Sequence, residues 1–145
     1  MKKRVLFVCY GNACRSIMGE ALARHHWDNI LEAASAGLTA LGYVPEETTN
    51  VLREIGVSTR GLYSKGLAEV ELDRFDLILD LLEYPLERFM PPSFKGKVIH
   101  WYVMDPFAGS LEAFRQTRDA IEWLVTEHLP KWVDGECAYH TATAT

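Results

Sequence analysis

Short apolar runs alternate along this chain with longer segments of helical periodicity, and this alternation most constrains the fold. The apolar runs have the length of buried strands and cover residues 5–8, 30–35, 77–82 and 98–101. The helical segments cover residues 16–27, 45–55 and 110–129. Such alternation is typical of a parallel sheet covered by crossover helices. We therefore predict an α/β fold, a small doubly wound four-stranded parallel sheet with helices on both faces.

The length of the chain is that of one ordinary domain. Its 145 residues are 48% hydrophobic and 24% charged, a balance that supports a packed core. Because no internal repeat or linker divides the chain, we predict a single domain over residues 1–135. The tail, residues 136–145, ends in Thr-Ala-Thr-Ala-Thr and has little to bury, so we expect it to fray.

Charge and hydropathy argue against several classes of partner. The net charge of −5 provides no basic field for a polyphosphate backbone, so we expect no nucleic-acid ligand. The apolar stretch near the N-terminus stops at Cys9, and no segment approaches the roughly 20 apolar residues of a membrane span. Three cysteines do not form a disulfide framework. We therefore expect a cytoplasmic protein that does not bind membranes.

The loop between the first strand and the first helix predicts an anion site. It reads Cys9-Tyr10-Gly11-Asn12-Ala13-Cys14-Arg15-Ser16. A loop of this kind points successive backbone N–H groups at a tetrahedral oxyanion, and the following helix adds the positive end of its dipole. Gly11 and Asn12 tolerate the positive φ angles of a tight loop. Residues 10–16 are thus predicted to bind phosphate or another tetrahedral oxyanion without a metal or cofactor.

Cys9 and Arg15 are the candidate catalytic residues of this loop. Loop N–H groups, the helix N-terminus and Arg15 would favour a nucleophilic thiolate at Cys9, whereas the alternative is a buried structural cysteine. Arg15 would hold two phosphoryl oxygens through its planar fork, and its alternative is a surface ion pair. Ser16 is placed to cap the helix and to donate a hydrogen bond to the Cys9 thiolate.

Cys14 has two interpretations that the sequence leaves open. It could form a reversible disulfide with Cys9 under oxidation, or it could be purely structural. A zinc site with His25 and His26 is disfavoured, because adjacent histidines on a helix point to different sides and fit tetrahedral ligation poorly.

Asp105 is the candidate general acid. Cleavage of a phosphoester requires a proton for the leaving oxygen, and Asp105 follows a predicted strand by a few residues. That placement would bring it to the same rim as Cys9, although Asp before Pro is also a common turn. Phe107 and Tyr43 could wall the cleft and stack on an aromatic substrate.

These features together resemble the low-molecular-weight protein tyrosine phosphatases and the arsenate reductases that share their fold. The resemblance covers about residues 4–130, and its most specific parts are the loop 9–16, Ser35-Ala36-Gly37 and Asp105-Pro106. It implies that Cys9 forms a phosphocysteine, that Arg15 clamps the phosphate and the transition state, and that Asp105 acts first as acid and then as base. It further implies that the loop is held by Asn12, Ser16 and Ser35.

The resemblance does not separate the two branches. Gly11 resembles the phosphatases, whereas the segment 100–106 resembles the reductases. The thioredoxin-linked reductases relay oxidation through two cysteines after the third strand. This chain reads Leu81-Leu82-Glu83-Tyr84-Pro85 there and has no cysteine, so that relay is excluded. Ala108 stands where many relatives carry a second aromatic residue, and Gly61 stands near where some carry a histidine that supports the loop.

We therefore expect a phosphatase that hydrolyses phosphotyrosine in proteins or small aryl phosphates through a cysteinyl-phosphate intermediate. One alternative is an arsenate reductase that depends on a low-molecular-weight thiol. Another is a non-catalytic module that only binds phosphate.

Overall fold

The computed structural model describes residues 2–134 and 141–143. The strands are β1 Lys3–Cys9, β2 Leu31–Gly37, β3 Leu77–Asp80, β4 Lys97–Tyr102 and β5 Thr141–Thr143. The helices are α1 Arg15–Trp27, α2 Glu46–Glu54, α3 Leu111–Glu127 and α4 Leu129–Val133. All strand pairs are parallel, and within the described residues the sheet order is β2-β1-β3-β4-β5. The predicted α/β fold is confirmed.

The central strand β1 is buried on both faces. Its side chains alternate, so that Val5 and Phe7 pack in one core cluster and Leu6 and Val8 pack in another. All four α-helices contribute buried side chains to the cluster of Val5 and Phe7. The opposite face is covered by the segments that contain three short 3₁₀ turns, Leu67–Glu69, Leu72–Arg74 and Glu87–Phe89. The sequence predicts helices on both faces of the sheet. On this second face they are single 3₁₀ turns.

Helix α3 ends before the position that the sequence predicts. Ser110 caps its N-terminus, since the Ser110 hydroxyl accepts a hydrogen bond from the Ala113 amide at 3.1 Å. Pro130 does not stop the helical structure, because proline fits the first turn of the new helix α4. In the described part of the chain, no helix has the length and hydropathy to cross a membrane.

The tail differs in part from the prediction of a frayed segment over residues 136–145. Residues 141–143 form the edge strand β5, whose register places Thr141 opposite His100. Pairing with the free edge of β4 supplies backbone hydrogen bonds, so a strand forms here without the apolar pattern that strand prediction relies on. The rest of the tail lies outside the described residues.

The parallel arrangement places the carboxyl ends of β1, β3 and β4 at one edge of the sheet. Cys9 ends β1, Leu81 follows β3, and Val103 follows β4. The Leu81 amide donates to the Val8 carbonyl, and the Val103 amide donates to the Leu81 carbonyl, so the strand ends stay in register beyond the last ladder pair. Ligand sites of open α/β sheets lie at this edge.

Gly19→Ala should destabilise the protein by about 1–3 kcal/mol, even though alanine favours helices. Gly19 faces β1 from α1, and a Cβ at this position would lie 2.7 Å from Cγ of the fully buried Phe7 ring. Urea unfolding measures the change. Gly66→Ala is the matched control, because a Cβ there would lie 3.8 Å from the Gly37 carbonyl oxygen, an ordinary van der Waals distance. Equal stability of the two variants would contradict this account of α1 packing.

Candidate active site

The loop between β1 and α1 folds around Asn12, and its second half, Asn12 to Cys14, is buried. Asn12 adopts a left-handed φ of 48° and is fully buried. Its side-chain amide donates to the Ser16 hydroxyl at 2.7 Å, and its carbonyl oxygen accepts from the Lys65 amide at 2.8 Å. Gly11 does not adopt a positive φ, so only Asn12 uses the conformational freedom that the sequence suggests for both.

The Ser16 hydroxyl lies 2.9 Å from the sulfur of Cys9. Because Ser16 Oγ already accepts a hydrogen bond from Asn12, its own proton is free to point at that sulfur. A hydroxyl that donates to sulfur stabilises the thiolate over the thiol. The prediction that Ser16 also caps α1 is wrong: Cys14 is the N-cap residue, without a side-chain capping bond, and Ser16 lies inside the first turn.

Arg15 is buried at the strand ends, with 2% of its surface exposed. Its Nη1 donates to the carbonyls of Leu81 at 3.2 Å and Val103 at 3.0 Å, and to the Glu83 carboxylate at 3.0 Å. Its Nη2 lies 3.6 Å from Oδ2 of Asp105. Its Nε is buried and has no hydrogen-bond partner among the described residues. Because the guanidinium is buried, the alternative of a surface ion pair for Arg15 is wrong.

Asp105 lies at the rim, about half exposed. Its Oδ1 accepts a hydrogen bond from the Phe107 amide at 3.0 Å, so the residue closes a turn as well as facing Arg15. The two interpretations of Asp105 from the sequence are therefore compatible: the turn fixes one carboxylate oxygen and leaves the other over the site.

A cavity of about 300 Å³ opens over the loop. Its lining combines loop residues, the segment after β2 and the Asp105 turn: Cys9, Tyr10, Gly11, Ala13, Cys14, Arg15, Thr39, Ala40, Leu41, Asp105 and Phe107. Phe107 lines the cavity. Tyr43 does not, because it borders a neighbouring groove that it shares with Phe107. Tyr10 and Leu41, which are both exposed, supply apolar wall instead.

Several groups that hold the loop were missed by sequence reasoning. Gly37 allows close approach of β2, since a Cβ there would lie 2.6 Å from the Asn12 amide nitrogen. Two hydroxyls bind loop carbonyls: Thr48 donates to Ala13 at 2.9 Å and Ser64 to Gly11 at 3.1 Å. The signal for Gly37 lay in the Ser35-Ala36-Gly37 motif, whereas isolated hydroxyl residues carry no sequence signal.

Ser35 supports the loop only indirectly. Its hydroxyl donates to the buried Glu20 carboxylate at 2.5 Å, and the Lys65 ammonium lies 3.8 Å from the same carboxylate oxygen. Burial lowers the pKa of Lys65, and Glu20 opposes that shift. The backbone of Lys65 in turn binds Asn12. Lys65 thus supports the loop, whereas Gly61 lies in an exposed turn with φ 77°.

Cys14 is buried beside the cavity as a neutral thiol. Burial raises the pKa of Cys14 to about 12, and the hydrogen bond with Thr48 opposes this shift. Cys9 and Cys14 are both unpaired. Among the described residues, no cluster of three or more His, Cys, Asp or Glu could hold a metal ion.

The fold and this site define an α/β protein with a buried cysteine and a buried arginine at a cavity over the loop between β1 and α1. The sequence model of the family described as low molecular weight phosphotyrosine protein phosphatase matches residues 4–137. The chain belongs to this family.

Relatives of the chain include both branches. It is 31% identical to an arsenate reductase of Brevibacillus brevis over 122 residues, which cover 83% of this chain and 89% of the relative. It is 40% identical to the low molecular weight protein-tyrosine-phosphatase YfkJ of Bacillus subtilis over 83 residues, which cover 52% of this chain and 53% of that protein. Vibrio vulnificus Wzb in complex with benzylphosphonate is a structural neighbour, with a TM-score of 0.76, 26% identity and coverage of 93% and 99%.

Cys14 should resist alkylation at about pH 8 in the folded protein, because a pKa of about 12 leaves roughly one thiolate in ten thousand molecules. A Cys9→Ser variant treated with iodoacetamide tests this, since any label on the peptide that contains both positions then belongs to Cys14. Mass spectrometry reads the label. The same reaction in urea is the control and should label Cys14 readily. Rapid labelling of the native variant would contradict the assignment.

Proposed function

We propose that this protein is a phosphatase that hydrolyses phosphotyrosine or small aryl phosphate monoesters. The proposal is carried by one juxtaposition: the Arg15 guanidinium lies 3.6 Å from the Asp105 carboxylate at a cavity that Cys9 also lines. A nucleophile, an oxyanion clamp and a proton donor thus meet at one site. Each of the three is needed for transfer of a phosphoryl group to cysteine.

In the first step, the Cys9 thiolate attacks the phosphorus atom. A sulfur–phosphorus bond forms as the bond from phosphorus to the aryl oxygen breaks. Asp105 in its acid form donates a proton to that departing oxygen, so the leaving group is a neutral phenol. Arg15 and the amides of the loop bind the three remaining phosphoryl oxygens, on which negative charge concentrates.

In the second step, water attacks the phosphocysteine. The Asp105 carboxylate, now deprotonated, accepts a proton from the water molecule. The phosphorus–sulfur bond breaks, inorganic phosphate forms, and Cys9 returns as a thiolate. The hydrogen bond from Ser16 at 2.9 Å makes the thiolate a better leaving group.

The walls of the cavity support an aromatic substrate. Tyr10 and Phe107 are each about half exposed and flank the opening, where they can stack on a phenyl ring. The benzylphosphonate bound by the Vibrio vulnificus protein joins a phenyl ring to a tetrahedral oxyanion, which is the shape that this cavity would accept.

The second candidate is an arsenate reductase that depends on a low-molecular-weight thiol. The similarity of this chain to the Brevibacillus brevis arsenate reductase favours this candidate. Reduction of arsenate to arsenite consumes two electrons, which come from conversion of two thiols to a disulfide. Residues 81–85 contain no cysteine and burial disfavours the Cys14 thiolate, so in this candidate an external thiol supplies the second sulfur.

The protein should hydrolyse p-nitrophenyl phosphate without added metal, and Cys9→Ser should abolish this turnover because serine is a far poorer nucleophile. Arg15→Lys should reduce kcat/KM by about 10²–10³, because lysine lacks the planar fork. Release of p-nitrophenol measures both. Arg60→Lys, in an exposed segment away from the cavity, is the matched control.

A parallel assay of arsenate reduction with glutathione separates the candidates. Thiol-dependent arsenite production with negligible ester hydrolysis would replace the phosphatase by the reductase. Phosphate binding with neither activity would replace both by a non-catalytic module.

Asp105→Asn should slow hydrolysis in proportion to the basicity of the leaving group. We expect a loss of about 10²–10⁴ in kcat/KM for phenyl phosphate, and a much smaller loss for an activated ester such as p-nitrophenyl phosphate, whose anion departs without a proton. A plot of rate against leaving-group pKa for wild type and variant measures the difference. Equal losses on all esters would show that Asp105 is not the acid.

A further inference from the structure

Groups that follow strands β3 and β4 accept hydrogen bonds from one end of the Arg15 guanidinium, its Nη1. Two of the three acceptors of its Nη1 belong to the turn after β3: the Leu81 carbonyl at 3.2 Å and the Glu83 carboxylate at 3.0 Å. Glu83 is more than half exposed, so its own burial does not fix its position. The direction of the guanidinium therefore depends on how this turn, residues 81–86, is folded.

The turn is organised around a buried carboxylate, Asp80. Asp80 is the last residue of β3 and is fully buried. Its Oδ1 accepts a hydrogen bond from the Leu82 amide at 3.0 Å, and its Oδ2 accepts one from the Leu86 amide at 2.9 Å. One carboxylate thus ties both ends of the turn, and the side chain of Glu83 lies between the two anchor points.

A fully buried carboxylate requires a further partner to remain ionised. Burial raises the pKa of Asp80, and the two amides and His100 oppose that shift. His100 occupies the paired position on β4, and its Nδ1 lies 2.9 Å from Oδ2 of Asp80. With Asp80 ionised, this contact requires Nδ1 of His100 to carry the proton and donate, since a carboxylate only accepts hydrogen bonds.

We propose that Asp80 and His100 are positioning residues for Arg15. The N–H of His100 stabilises the Asp80 carboxylate, the carboxylate fixes the turn 81–86, and the turn presents Leu81 O and Glu83 to the guanidinium. The pair touches neither the cavity nor a reacting atom, and it acts through the oxyanion clamp. The inference rests on the proposed role of Arg15 as that clamp, and not on the identity of the reaction.

The test measures oxyanion binding instead of turnover. Inorganic phosphate in the loop should shield Cys9 from iodoacetamide. The phosphate concentration that halves the alkylation rate therefore measures how tightly Arg15 and the loop bind phosphate. His100→Leu should raise this concentration by about fivefold, because the turn loses a charge-assisted hydrogen bond at its anchor. His100→Asn, which retains a donor near the position of Nδ1, should restore a value close to that of wild type.

His26→Leu is the matched control. His26 also contacts a carboxylate, since its Nε2 lies 3.1 Å from Oε2 of Glu122, but this pair joins α1 to α3 and is not connected to the turn 81–86. It should leave the half-protecting phosphate concentration unchanged. Because protection is measured per folded molecule, a merely structural loss would lower the yield of folded protein without moving this concentration.

The outcomes separate the two proposals. The positioning role is supported if phosphate protects Cys9 of the wild type, protects His100→Leu less well, and protects His100→Asn about as well as the wild type. Protection that is the same in His100→Leu and His26→Leu overturns it and leaves the proposed function intact. No protection of the wild type by phosphate would contradict the oxyanion site, and with it both proposals.

Discussion

The burial of the Arg15 guanidinium is the interaction on which the rest of the site depends. A cation with 2% exposure is tolerated only where its donors find acceptors, and the carboxyl ends of two parallel strands supply carbonyls in the required direction. Glu83, in the turn after β3, and Asp105, in the turn after β4, add negative charge beside the guanidinium. The guanidinium therefore links the turns after β3 and β4 to the loop after β1.

The loop itself is held by a second set of interactions that involves no charge at its centre. Asn12 adopts the left-handed conformation. Its side-chain amide donates a hydrogen bond to Ser16, which is close along the chain, and accepts one from Lys65, which is distant. This arrangement leaves the Ser16 hydroxyl proton free to donate to Cys9. A rigid loop matters because preorganised donors bind an oxyanion without paying for reorganisation at the moment of reaction.

Much of the fold and part of the site follow from sequence patterns, and the exceptions have identifiable causes. The strand of residues 5–8 and the loop 9–16 are local features, because apolar runs and glycine or asparagine in turns act on the backbone directly. Ser16 was expected to cap α1, yet its hydroxyl is used by Asn12 and Cys9. Tyr43 was expected in the cavity wall, but the position of an exposed side chain on a loop depends on packing that no local pattern encodes.

The sequence by itself determined the α/β alternation, the loop between β1 and α1 and the presence of a cysteine and an arginine within it, because these depend on residues that are close along the chain. Only the tertiary structure decided which distant groups complete the site. Lys65 binds Asn12 across 53 positions, and Val103 binds Arg15 across 88. Such pairs are created by strand order and register, which bring together segments whose separate sequences carry no record of their partner.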